Sequence, residues 1–308
     1  MSTFCIACFS SYLPEISCYM KLLLVLFILG SAIALSGQSQ AKIFAAKELS
    51  TDEVETSIAL MPNRKIAYVS RHNGQWGQSN NPPSKIYEYH KRKGKWVFIG
   101  MAPFSSADME GADGDIFISH DGKKALFTSS RPYPGKAGNG RDIWLSEWEE
   151  NTWGEPIVLQ QISSPSYEAS PVLDELGNLY FTSMREGGQG LGDIYKSAWK
   201  DGQWETPQAI SALNGPSGEW NVLIDPKGKW IIFESSGRPE GKSNYGDLYL
   251  SYYKNGQWTS PKNLAQINTT GSQLNPRIFK NKLLFLSTKT LESTNCDIYQ
   301  IKLKSILK

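Results

Sequence analysis

A chain of 308 residues carrying 32 Lys and Arg against 30 Asp and Glu is close to electrical neutrality, with a formal charge of +2. That balance offers no basic stripe of the kind a nucleic-acid partner requires, and no acidic or basic tail. With 40% apolar residues the chain can bury one large core or two modest ones, and 27 Gly with 12% aromatics suit many short strands joined by tight turns.

Residues 22–35, LLLVLFILGSAIAL, form an apolar run preceded by Lys21 and followed by small and polar residues. The run is short for a bilayer crossing and has small-residue cleavage sites at Ser36 and Ala41, so 1–41 is read as a signal peptide. Residues 1–19 sit awkwardly ahead of it, which makes Met20 the expected start. Export to the periplasm or the extracellular space follows, with no membrane span in the mature chain. Cys5, Cys8 and Cys18 precede the apolar run and only Cys296 follows it, so no internal disulfide and no lipid anchor are expected.

From residue 42 to 308 a single domain is expected, because one phrase recurs along it. Its clearest copy runs from Glu168 to Ile210: a carboxylate before an apolar run, a Gly turn, a second apolar run ending near an Arg, a Gly-rich loop, Asp-Ile-Tyr, then Gly-x-Trp-x-x-Pro. The Asp falls at Asp142, Asp193, Asp247 and Asp297, giving steps of 51, 54 and 50 residues, and Lys85 replaces it in the first copy. Each copy divides into four strands. In the third these are Ser170 to Leu173, Leu179 to Ser183, Asp193 to Trp199 and Trp204 to Ile210, joined by turns with Gly where positive φ is needed.

The last copy supplies three strands only, and KIFAAKEL (42–49) has the character of the missing fourth. The expected fold is therefore all-β, a five-bladed β-propeller of four-stranded antiparallel blades, closed by an N-terminal strand that completes the last blade. A six-bladed alternative would need about fifty further residues. Trp96, Trp153, Trp204 and Trp258 recur at one position of the fourth strand, which argues for packing wedges over ligand contacts.

The segments SMREGGQGLGDIYKSAWKDGQWETP (183–207), SSRPYPGKAGNGRDIWLSEWEENTWGEP (129–156) and SSGRPEGKSNYGDLYLSYYKNGQWTSP (235–261) resemble the WD-like propeller repeat of the TolB type. They look most like the versions attached to OmpA-like peptidoglycan-binding proteins of bacterial envelopes. The resemblance departs at Lys85 in the first copy, and at Lys289 and the absent Trp strand in the last. It implies a non-catalytic envelope module that holds a protein partner, or a carbohydrate or peptide ligand, on one face.

Antiparallel strands alternate direction, so the loop leading into each innermost strand and the loop between second and third strands share a face. Glu55, Asp113 (or its neighbour Glu110), Glu168, Glu219 and Gln273 should stand at that face, with Arg71, Arg131, Arg185, Arg238 and Lys289 beside them. Repetition in every blade reads first as a structural ion-pair girdle.

Asymmetry points to function instead. Trp76 and His72 sit in a long insertion of blade 1, Trp220 follows Glu219 where blades 3 and 5 have Ala169 and Leu274, and Tyr133 and Tyr245 lie in Gly-rich loops. Trp76, Trp220, Glu168, Glu219, Arg131, Arg185 and Arg238 are thus the expected ligand-binding set.

The rival reading is a five-bladed glycoside hydrolase using Glu55, Asp113 and Glu168 as its carboxylates. No cofactor or metal centre is indicated: His72, His90 and His120 lack ligand spacing, and GGQGLG (187–192) precedes a strand, reading as a turn that needs positive φ and not as a phosphate cradle.

Overall fold

Clean apolar–polar alternation is absent from second strands such as KALFTS and WIIFESS because both their faces are covered. The computed structural model describes residues 41–307 apart from 108–110, 137–139, 244 and 289. The expected leader, Met20 and the early cysteines lie outside the described residues, as do Glu110 and Lys289. Residues from Ala41 onward form one unit of five antiparallel blades, a five-bladed β-propeller. The innermost strands are Val54–Leu60, Asp113–Ile118, Glu168–Leu173, Gly218–Ile224 and Gln273–Phe279. No described helix is long and apolar enough to cross a membrane.

The ring closes where expected, but on a shorter clasp. Only Lys42–Ile43 pairs with the last strand, against Gln300 and Tyr299, and the Phe44 N–H adds a bond to the Ile298 carbonyl at 2.7 Å. Beyond it the backbone turns through Ala45 and Lys47 at positive φ, which no continuing strand tolerates. The Ser50 hydroxyl then locks the turn by donating to the Phe44 carbonyl at 3.1 Å and accepting from the Ile298 N–H.

Two other boundaries differ from expectation. The fourth strand of blade 3, expected as Trp204 to Ile210, is broken into Gln203–Trp204 and Gln208–Ala209, and blades 2 and 4 break in the same way. The cause is the Pro three residues after each Trp (Pro156, Pro207, Pro261), which has no N–H for the ladder. Blade 1 has Ile99 there and keeps one strand, Lys95–Met101. The innermost strand of blade 3, expected from Ser170, starts at Glu168, so the recurring carboxylate is part of the strand.

Apolar side chains fill the seams between blades. Phe127, Phe181, Phe233 and Phe285 occupy one position of the second strands of blades 2 to 5, with Val69 in their place in blade 1, and all are buried. Each such ring contributes about 2–3 kcal/mol on burial. The recurring Trp residues are wedges: the Trp153 indole of blade 2 donates to the Tyr68 hydroxyl of blade 1 at 2.7 Å, and the Trp204 indole to the Gly177 carbonyl at 2.9 Å.

Candidate functional site

Blades 2, 3 and 4 hold the Arg of the Ser-x-Arg motif by one pattern of bonds, the bonded Ser lying two residues before it in blades 2 and 3 and three before it, at Ser235, in blade 4. Arg131, Arg185 and Arg238 each donate Nε to that Ser, and Nη2 both to a carboxylate on the blade's innermost strand and to a carbonyl of the preceding loop. The ion pairs are Arg131 to Asp113 at 3.0 Å, Arg185 to Glu168 at 3.2 Å and Arg238 to Glu219 at 2.8 Å. Each guanidinium also lies against two rings, as Arg185 does against Phe181 and Tyr195. The three carboxylates have no exposed surface. The third-strand Asp serves its own loop: Asp193 accepts the Gln189 and Gly190 N–H groups, and Asp247 those of Lys242 and Ser243.

Blade 1 leaves this pattern. Arg71 pairs with Glu53 at 2.6 Å, and buried Glu55 accepts from the Thr51 N–H and hydroxyl while its Oε2 has no partner among the described residues. Burial pushes the Glu55 carboxyl up to about 8. Glu55, Asp113 and Glu168 are therefore enclosed within the blades and not presented to a substrate.

The open chemistry lies two residues further on. Each innermost strand carries a β-bulge just past its carboxylate. In blades 2 to 5 the bulge holds a non-glycine residue at positive φ: Asp115 (50°), Ser170 (55°), Asn221 (50°) and Asn275 (46°). A left-handed residue re-aims its side chain, and here the four meet across the channel. Asn275 Nδ2 donates to Asp115 Oδ1 at 3.3 Å and to Asn221 Oδ1 at 3.2 Å, and the Ser170 hydroxyl donates to Asn221 Oδ1 at 2.9 Å. Asn221 Nδ2 in turn donates to Glu234.

Asp115 and Glu234 are thus joined through two amides. Glu234 is buried, and desolvation, reinforced by the charges of Asp115 and Asp247, pushes its carboxyl up to about 8 against the opposing Asn221 bond.

Around this network lies a concavity of about 300 Å³, lined by Asp115, Arg141, Tyr167, Trp220, Glu234 and Tyr245. Trp220 stands edge-on to Tyr167 at 6.1 Å. A neighbouring depression of about 500 Å³ shares Asp115 and Arg141 and reaches His72 in the blade 1 insertion.

Trp220 is the one expected ligand-binding residue in this lining. Trp76 lies elsewhere: it is half-buried, packs on the apolar cluster at the seam of blades 5 and 1, and donates its N–H to the Thr294 carbonyl at 2.8 Å. Glu168 and Glu219 are buried against Arg185 and Arg238, and Arg131 is held by Asp113, so these five are engaged within their blades. Asp115, Arg141 and Glu234 were missed by sequence reasoning. Their signal is in the aligned columns, where Glu234 stands against Thr128, Thr182 and Leu286, and Asp115 against Ser170, Asn221 and Asn275.

No known family profile matches the chain, and no curated protein matches it. Among solved structures, the endo-arabinase of Bacteroides thetaiotaomicron is similar at a TM-score of 0.51 and 14% identity, covering 85% of this chain and 96% of that one. A protein of unknown function from Dyadobacter fermentans has a TM-score of 0.50 at 12% identity, covering 87% and 83%. At these identities the likeness is one of fold.

The glycine loop of blade 3 turns out to serve Trp220. Gly187 is at positive φ as expected, but Gly190 and Gly192 are there for contact. A Cβ at Gly192 would stand 2.5 Å from the Trp220 ring, and one at Gly218 2.4 Å from its indole nitrogen. Gly192→Ala is expected to shift the tryptophan emission and to lower the melting temperature by several degrees, since overpacking a buried position costs about 1–3 kcal/mol. Unchanged emission would show that the indole is not seated by this loop.

Proposed function

We propose that this chain is an exported binding module of the bacterial envelope, of the TolB-like propeller kind, holding a glycan or peptide at the channel mouth of blades 2 to 4. The observation that carries the reading is the convergence of non-repeating residues: Asp115, Arg141, Trp220 and Glu234 line one concavity. Aromatic faces suit sugar rings or side chains, and a carboxylate, a guanidinium and amides fix their polar groups.

Trp220→Ala and Asp115→Asn should each weaken binding to a panel of oligosaccharides, peptidoglycan fragments and envelope peptides by about tenfold or more, equivalent to the loss of about 1.4 kcal/mol. Binding unchanged in both folded variants would remove this face.

One observation favours a second reading, glycoside hydrolysis. Burial holds Glu234 protonated near neutral pH, and a second carboxyl group, that of Asp115, shares its network, so the mouth carries the pair of carboxyl groups this chemistry uses. Release of reducing ends from arabinan, xylan or peptidoglycan fragments, abolished by Glu234→Gln, would establish that reading in place of the first.

A further inference from the structure

The opposite mouth of the channel has its own concavity, of about 280 Å³, between the turns at Pro62, His120, Pro226 and Lys280. Its walls are apolar, with Leu60, Met61, Phe117, Ile118, Ile224 and Phe279. Its charged groups are all of one sign: Arg64 and Lys280 line it, Arg277 reaches it from the channel, and no carboxylate is among the lining residues.

Arg277 is the anomaly. Counting four residues on from each recurring acid or amide, the equivalent positions hold Ala59, Phe117, Val172 and Leu223. Four blades thus put an apolar side chain where blade 5 puts a cation. Arg277 is 4% exposed. Its Nε donates to the Ile116 carbonyl at 3.4 Å, and Nη1 to the Val222 and Pro276 carbonyls at 3.2 and 2.8 Å.

Nη2 is buried without a partner among the described residues. Asp115, from the other side of the channel, acts on the guanidinium through its field, and no described carboxylate forms an ion pair with it. Desolvation lowers its pKa to about 10, which leaves it cationic at neutral pH. A buried cation bonded only to neutral carbonyls, with one donor idle, is costly unless an anion completes it.

We propose that this mouth binds a small organic carboxylate with an apolar body, the carboxylate meeting Arg277 and the body lying on Phe117 and Phe279. At about 280 Å³ the cavity lies at the small end of small-molecule sites, about 300–1,000 Å³, which suits a ligand of few atoms. Arg64 and Lys280 at the lining supply the attraction that draws the anion in. This site is distinct from the concavity of blades 2 to 4 and does not depend on its reading.

Hexanoate and phenylacetate serve as probes, with hexanamide and phenylacetamide as uncharged isosteres, each titrated calorimetrically into the intact chain. The carboxylates should bind with one-to-one stoichiometry and the amides about tenfold more weakly or worse. Arg277→Leu, which restores the apolar residue of the other blades, should abolish carboxylate binding while keeping a cooperative melt. If that variant does not fold, the Arg64→Gln, Lys280→Gln double variant decides, with an expected loss of about fivefold that added salt reproduces in the wild type.

Equal binding of acid and amide, no binding up to roughly 10 mM, or undiminished binding in the folded Arg277→Leu variant would each overturn the proposal. So would unchanged affinity in the double variant where that variant is decisive. A peptide C-terminus preferred over the free acids would overturn it too, by placing a protein on this mouth.

Discussion

Arg185→Ala is expected to lower the melting temperature by about 10 °C. Glu168 has no exposed surface, and Arg185 is the only cation paired with it among the described residues. Removing one member of a buried pair leaves the other charge uncompensated, at about 3–5 kcal/mol, and for a domain of this size each kcal/mol moves the midpoint by about 2–4 °C. The lost stacking on Phe181 and Tyr195 and the lost bond to the Ile162 carbonyl act in the same direction. Glu168→Gln in the same background should recover part of the loss, because it removes the stranded charge and its remaining oxygen can still accept from the Ser164 and Ser183 hydroxyls, while the amide nitrogen takes away the acceptor of the Ser164 N–H.

The same experiment separates structure from ligand binding at this motif. A girdle that ties a loop to its blade predicts destabilisation in Arg131→Ala and Arg238→Ala of similar size, since all three make the same bonds. Arg71→Ala should cost less, because its partner Glu53 is partly exposed and can return to water. A neutral melt for Arg185→Ala would turn the motif back toward a ligand role.

What the sequence revealed and what it hid divide along the line between repetition and exception. Ser-x-Arg, Asp-Ile-Tyr and the recurring Trp are legible because each builds one contact that every blade needs, so the period exposes them. Their direction was not legible: a carboxylate and an Arg per blade can face outward or inward, and it is the bonds of each Arg to the carboxylate and to a loop carbonyl that hold them in, ahead of a β-bulge that re-aims the residue two places on. The bulge itself lies in ordinary-looking runs, since Ser170 at positive φ carries no glycine to announce it.

Asp115 lies two residues from the recurring acid in the short run DGD (113–115), which hides it, and Glu234 lies inside WIIFESS, an otherwise largely apolar second strand. Trp220 could be found because it breaks a column of small or aliphatic residues. Trp76 breaks a loop length instead, and a loop aromatic carries no sign of which surface it folds onto. Arg277 shows that an exception inside a buried strand is a stronger signal than an aromatic in a loop, because burial leaves it fewer explanations.

Stability should fall as pH rises from about 5 to about 8. Glu234 and Glu55 titrate at about 8 in the folded chain against an ordinary value of 4.5. Below the ordinary value both are protonated folded or unfolded, and neither costs anything. Between the two values the unfolded chain releases protons that the folded chain retains, so each group costs about 1.4 kcal/mol of stability per pH unit across the window, as an upper bound. Above about 8 the folded carboxyls must ionise and the loss levels off.

Glu219, Asp247 and Asp297 are raised by burial too and add to the fall, while Asp121 is lowered from 3.8 and so changes its contribution only below that pH, outside this window. Glu234 faces Asp115 and Asp247, and Arg141 lines the same concavity. Glu234→Gln keeps the shape and removes the ionisation, so its melting temperature should drop less between pH 5 and pH 8 than the wild type's, and Glu55→Gln should act alike. Parallel pH profiles in all three proteins would mean that neither carboxyl is held protonated. The outcome bears on the site, because a Glu234 that keeps its proton at neutral pH presents a hydrogen-bond donor beside Asp115 where an ionised one would present only a second acceptor.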